Sequence, residues 1–221
     1  MTINLKKLIT FASLMTLSLH LHAINYYVSP SGNDNNAGTR ENAPLASLAT
    51  AQKKVKAGDK VYILPGTYQV KENEMMDKTS SNVWDIIFDF STSGTADSPI
   101  IYIGVQDAQG NRPVFDLSAI NTGKRLTGFY IHAKYLEFSN FEVIGINVPK
   151  SSSNTQSENI RINGGNYCRF YNIAAHDGMG IGFYLTGRSA HNTISLCDAY
   201  NNFDSVNISV NNGGNSDGFG C

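Results

Sequence analysis

An all-β chain wound as a parallel solenoid, a β-helix carrying one short capping helix near its N-terminal end, is the fold predicted. Three observations lead there. Only 16% of the residues are charged, whereas 20 are Gly and about one in nine is Asn; average globular chains carry about 25% charge. One helical period occurs, and from residue 99 onward only strands and turns follow. Several of those strands superpose on one another at spacings that suit a repeating coil. The same arithmetic excludes other classes. An apolar fraction of 41% with a net charge of −1 is too hydrophobic and too neutral for a disordered chain. A helical bundle or coiled coil would be rich in Ala, Glu, Lys, Leu and Arg. With 17 basic against 18 acidic residues there is no electrostatic footprint for nucleic acid.

In chain order, Lys6 and Lys7 precede an apolar run from Leu8 to Leu19, with Ala23 the best residue before a cleavage point. That is the layout of a secretory signal peptide over residues 1–23. The run is too short to span a bilayer core of about 30 Å, and no later segment is longer, so no membrane span is expected. The alternative is a buried N-terminal helix. No Cys lies near Ala23, so lipid anchoring there is not expected. The mature chain is expected to start at Ile24, in a secreted or periplasmic protein.

Residues 24–70 read as an N-terminal cap of strand, loop and helix, and residues 71–221 as coils. Tyr26 to Val28 is a short strand, and Ser29 to Thr39 is a loop rich in turn formers. Leu45, Leu48, Ala51 and Val55 recur at helical spacing, and Gly58 has the place of a terminating glycine. Val61 to Leu64 is a strand closed by the turn Pro65-Gly66-Thr67. One helix ahead of many strands suggests a lid over a stack and not a βαβ sheet. Strands are then expected at 100–105, 113–117, 129–133, 135–146, 159–162, 167–175, 182–185 and 192–200.

The register is more telling than the strands. Ile131, Ile162 and Leu185 superpose, as do Phe138, Phe170 and Ile194. Phe141, Ile173 and Cys197 then coincide, and so do Val143, Ala175 and Ala199. The offsets are 31 and 23 residues, the first enlarged by the loop from Pro149 to Glu158. A period in this range marks a solenoid, with strands of successive coils stacked at about 4.8 Å. An antiparallel sandwich is the alternative, using Asn163-Gly164 and Asp177-Gly178 as hairpin turns. The solenoid accounts for the Asn excess, because tight corners need the left-handed conformation that Asn accepts most readily. Asn140 and Asn172 fall in register and form a candidate side-chain ladder, with Leu196 in the third coil.

Chemistry is sparse. No nucleophile elbow, zinc-binding helix or phosphate loop occurs. Cys168, Cys197 and Cys221 have no paired spacing and read as small packing residues. His176-Asp177 reads as a solvated corner, since neighbours along a strand point apart, and His132 and His191 read as structural. Arg161, Arg169 and Arg188 lie near successive coils and are candidates to line a groove for an anionic sugar. Asp217 is the strongest site candidate. It stands in NNGGNSDGFGC at the start of a strand, where Gly218-Phe219 superposes on Gly182-Phe183 after an offset of 36 residues. Residues 203–215 therefore bulge from the solenoid, and rigid scaffolds carry function on such loops. A carboxylate there suits Ca²⁺, which wants several oxygen ligands. The competing reading is a turn Asp that caps Gly218.

The opening YYVSPSGNDNNAGT…APLASLATAQKKVKAGDKVYILPGTY resembles the N-terminal segment of right-handed β-helix carbohydrate-active proteins. The stretch NTISLCDAYNNFDSVNISVNNGGNSDGFGC resembles family nine pectate lyases. The resemblance implies a right-handed parallel β-helix, expected monomeric, with an acidic polysaccharide (polygalacturonate or pectin) as partner and Ca²⁺ as cofactor. It implies that Asp217, in the matching G-N-x-D-G-F motif, is a Ca²⁺ ligand. In the family, further ligands form an Asp-rich cluster on the next coil and a lysine beyond it removes the C5 proton in β-elimination. Neither is present before residue 221, so the catalytic base is unassigned and Lys124 and Lys134 are two or more coils away. The stack is accordingly expected to be the truncated N-terminal part of a longer protein, inactive by itself. A non-catalytic carbohydrate-binding or surface β-helix is the rival. A β-helix glycosidase ranks last, because it needs two carboxylates about 5–10 Å apart and no Asp-Asp pattern occurs.

Overall fold

The structure, a computed structural model, describes residues 23–78, 84–149, 156–206 and 216–221. The expected signal segment up to residue 22 and most of the bulge between 203 and 215 lie outside the described residues. The chain begins with β1 (Asn25–Val28), α1 (Leu48–Gln52), β2 (Lys60–Ile63), β3 (Thr67–Gln69) and β4 (Trp84–Phe90). It then repeats a three-strand coil: β5 (Ile100–Gly104), β6 (Val114–Asp116) and β7 (Arg125–Ile131), then β8 (Leu136–Ser139), β9 (Glu142–Ile144) and β10 (Glu158–Asn163). The last described turns are β11 (Arg169–Tyr171), β12 (Ala174–His176), β13 (Ile181–Thr186), β14 (Thr193–Ser195), β15 (Asp198–Tyr200) and β16 (Phe219–Gly220).

From β2 onward, every third strand belongs to the same sheet. The first sheet runs β1-β2-β5-β8-β11-β14, the second β4-β7-β10-β13-β16, and the third β3-β6-β9-β12-β15. All their pairings are parallel, which a sandwich does not produce. The sequence register is observed pair for pair: Ile131, Ile162 and Leu185, Phe138, Phe170 and Ile194, and Val143, Ala175 and Ala199.

Three expectations need correction. The runs 135–146, 167–175 and 192–200 are each two strands, folded about a left-handed residue: Asn140 (φ 60°), Asn172 (φ 52°) and Leu196 (φ 52°). β3 and β4 had no counterpart in the sequence reading, because a three-residue strand after a Pro-Gly turn and an almost continuously apolar run lack the alternation that reveals a strand. The helix ends at Gln52, well short of Gly58, whose φ of 92° serves a later turn. Ser47 caps its start by accepting from the Thr50 amide at 3.1 Å. Val55 still reaches the core, but from a turn.

The corners show how the sequence tolerates left-handed backbone. Asn172 Nδ2 donates to Asn140 Oδ1 at 2.9 Å, forming the expected ladder. A second corner places Tyr135, Tyr167 and His191 at φ near 57° with rings stacked 5.0 and 4.6 Å apart. A third places Gly145, Asp177 and Asn201 there. Inside, Tyr102, Phe138 and Phe170 stack face to face at 5.0 and 5.1 Å. Phe88, Phe115, Phe129 and Phe141 join them in one core. The α1 face of Leu48, Ala49 and Ala51 is buried against this stack, with Gln52 Nε2 donating to the Asp89 carbonyl at 2.9 Å. Among the described residues no helix is long and apolar enough to cross a membrane.

Candidate functional site

Asp217 lies two residues before β16, and the coil beneath fixes its place. The Gly182 amide donates to the Asp217 carbonyl and the Phe183 amide to that of Gly218, both at 2.9 Å. Phe219 stacks on Phe183 with ring centroids 5.0 Å apart. Glycine is required beneath, since a Cβ at Gly182 would meet the Ala199 Cβ and the Gly218 carbonyl oxygen at 2.6 Å. The returning chain is tied down one residue earlier. The amide of the buried Asp204 donates to Ser216 Oγ at 3.2 Å, and Asp204 Oδ1 accepts from the Val206 amide at 3.0 Å. The Asp217 side chain is exposed.

As a donor set this is incomplete. Among the described residues no group of three or more His, Cys, Asp or Glu could hold a metal ion. Asp217 fits as a single oxygen donor, and the Asp204 carboxylate is already engaged by its own loop. Ca²⁺ wants six to eight oxygens, so these residues do not complete its shell. Lysine is scarce as well, for none follows Lys150 in the sequence. Lys124 and Lys134 flank β7, three strands from β16 in the second sheet, or about 14 Å by strand spacing. Lys124 Nζ is paired with Asp85 at 3.0 Å.

Lower on the second sheet lies a charged cluster that the sequence reading did not find. Glu158 is fully buried and accepts from Arg161 Nη1 at 3.0 Å, Arg125 Nη2 at 3.3 Å, Thr127 Oγ1 at 3.0 Å and Gln156 Nε2 at 3.3 Å. Burial pushes its carboxyl up, and the two guanidiniums only partly offset that. The Arg161 guanidinium lies between the Trp84 ring at 4.9 Å and the Tyr184 ring at 5.5 Å. The only sequence hint is the Glu158–Arg161 spacing of three, whereas Arg125 and Trp84 arrive from other coils.

The three arginines do not share one groove. Arg161 is on the second sheet, Arg169 is exposed on the first beside Glu137 at 3.3 Å, and Arg188 sits in a corner at φ 62°. Three sheets facing three ways separate residues that the sequence places on successive coils. His176 is likewise no solvated corner. It is 8% exposed, with Nδ1 2.7 Å from Asp177 Oδ2, Nε2 3.2 Å from Glu142 Oε2 and its ring stacked on Tyr200. The left-handed Asp177 (φ 50°) turns its carboxylate back onto its neighbour, which an extended strand would prevent. His132 pairs with Asp89 at 2.7 Å and His191 continues the Tyr135–Tyr167 stack. Of the cysteines, all free, Cys168 is buried as expected, Cys197 is half-buried and Cys221 is exposed.

Comparison with known proteins supplies the family. Pectate lyase L of Dickeya dadantii is 30% identical over 197 residues, covering 88% of this chain and 40% of that protein. Pectate lyase PEL9 of Emericella nidulans is 28% identical, covering 98% of this chain and 47% of that protein. The chain thus spans less than half the length of these curated relatives. A solved rhamnogalacturonan lyase is 42% identical with a TM-score of 0.79 over 89% of this chain and 46% of its own. The crystal structure of pectate lyase Pel9A is 29% identical with a TM-score of 0.65, over 89% of this chain and 43% of its own. Residues 26–221 match the family described as Pel9A-like, right handed beta helix region, and with nearly the whole described chain inside that match the protein belongs to this family of right-handed parallel β-helices.

Proposed function

We propose that the protein is a secreted polysaccharide lyase that cleaves polygalacturonate by β-elimination, with Asp217 as one ligand of a required Ca²⁺. The observation that carries this is the exposed carboxylate of Asp217, registered onto the coil by Gly182 and Ser216, in a chain of this family. The pectate lyases among its relatives support an acidic substrate. Bound Ca²⁺ would supply charge stabilisation at the uronate whose C5 proton is lost. A base must lie within hydrogen-bond reach of that proton, and no described lysine is near Asp217. The 221 residues alone are therefore expected to give no turnover, and the activity is proposed for the protein at its relatives' length.

A second reading is favoured by one finding: the 42% identical solved structure is a rhamnogalacturonan lyase. On that reading the same site meets a backbone in which uronate alternates with a neutral sugar. Release of unsaturated uronide from each polymer, with Ca²⁺ and with chelator, tests both. Chelator-sensitive product from polygalacturonate supports the first reading, and product from rhamnogalacturonan alone replaces it with the second. If a chain of the relatives' length releases product from neither, the protein is a carbohydrate-binding β-helix without catalysis. Turnover by the 221 residues alone overturns the assignment of the base to residues outside them.

A further inference from the structure

Asp59 is 4% exposed, yet among the described residues no lysine, arginine or histidine forms an ion pair with it. Its two oxygens are held by backbone amides alone. Oδ2 accepts from the Lys56 amide and Oδ1 from the Ile24 amide, both at 2.8 Å. The Ile24 carbonyl accepts from the Lys60 amide at 2.9 Å, which fixes residue 24 beside the start of β2. The phenols of Tyr26 and Tyr102 are pushed up, first by burial and then by the Asp59 charge. A buried carboxylate without a cation is costly. Here the atom facing it is the nitrogen that the sequence marks, on independent grounds, as the first of the mature chain.

We propose that hydrolysis of the Ala23–Ile24 peptide bond supplies the missing cation, the new α-ammonium of Ile24 pairing with Asp59 and locking β1 onto the stack. The step consumes one water under a signal-peptide-cleaving protease. The C–N bond breaks, Ala23 leaves with a carboxylate, and the Ile24 amine takes up a proton. Its nitrogen is already 2.8 Å from the acceptor, so an amide hydrogen bond becomes a charged pair without rearrangement. Ala23 itself is exposed, so the bond lies at the surface of the folded cap. Processing and stability are thereby coupled: the exported form is more stable than the precursor by the worth of one half-buried ion pair.

The experiment has two arms. N-terminal sequencing of the exported protein is expected to begin at Ile24, and another first residue overturns the proposal. Thermal melts then compare four proteins, starting at Ile24 or at Ala23, each with Asp59 or with Asp59→Asn. The Ile24 start is expected to melt about 3–6 °C above the Ala23 start when Asp59 is present, and level with it when Asn replaces Asp59. An equal difference in both backgrounds, or none in either, overturns the pairing. Should Asp59→Asn fail to fold, Nα-acetylation of the Ile24 form, which restores an uncharged amide, is expected to cost the same few degrees. No loss on acetylation overturns the proposal.

Discussion

The coil of β7–β9 and the coil of β13–β15 have the same backbone and different fates. Both turn through a left-handed corner, at Asn140 (φ 60°) and at Leu196 (φ 52°). In the first coil Phe138, Phe141 and Val143 are at most 2% exposed. Their register mates in the second, Ile194, Cys197 and Ala199, are only partly buried, and Leu196 is 68% exposed. Conformation is thus set by a coil's own corners and by its pairing with a neighbouring coil. Burial is set between coils, by what stacks on each face. That is the nearest-neighbour behaviour of a solenoid, and within these 221 residues it separates a coil stacked on both faces from the last described one, onto which Asp217 is registered.

The largest difference between the two coils is expected at Phe138. Its ring is stacked on both sides, by Tyr102 and Phe170, so Phe138→Ala is expected to cost about 3–5 kcal/mol. Ile194→Ala, at the same position two coils on, is expected to cost less than half as much when the 221 residues are studied by themselves. Urea unfolding midpoints decide between them, and equal losses would contradict a burial difference set by stacking. Next comes the corner. Asn172→Ala removes the hydrogen bond to Asn140 and places a Cβ residue without local partners at φ 52°, for a loss of about 1–2 kcal/mol. Leu196→Asn is the converse and sharpens the contrast: an exposed Leu in left-handed backbone gives way to the residue that tolerates it, for a gain of about 0.5–1 kcal/mol. A loss there would mean that Leu196 packs usefully despite its exposure. The smallest effect on stability is expected from Asp217→Asn, within about 0.5 kcal/mol of zero, because the carboxylate is exposed and its neighbours are held through backbone.

Much of this architecture is legible in the sequence because stacking turns a period into a contact. Once Ile131, Ile162 and Leu185 are superposed, the sheets follow from the parallel pairing. The corners are legible only where the residue type advertises them. Asn140 and Asn172 do so, but Tyr135 and Tyr167 do not: they stand in the left-handed region with rings stacked on each other and on His191, a contact between coils that local sequence does not display. Val55 keeps helical spacing and so suggests a longer helix, although α1 ends at Gln52 with Lys53 as its C-cap. Of the site, the position of Asp217 was readable from Gly218-Phe219 lying over Gly182-Phe183. The charged cluster was not, since Glu158, Arg125 and Trp84 come from three coils. Asp59 was equally silent, being noteworthy only through the atom that lies opposite it.

On the proposed function, Asp217 serves ligand binding and not the fold. Binding of a short galacturonate oligosaccharide, titrated with and without Ca²⁺ for the native protein and for Asp217→Asn at the relatives' length, tests it most directly. Binding is expected to depend on Ca²⁺ and to weaken roughly tenfold or more in Asp217→Asn, with the unfolding midpoint unchanged. Equal affinity in the two proteins, or a loss that tracks a lowered midpoint, would contradict it and return Asp217 to the role of a turn residue.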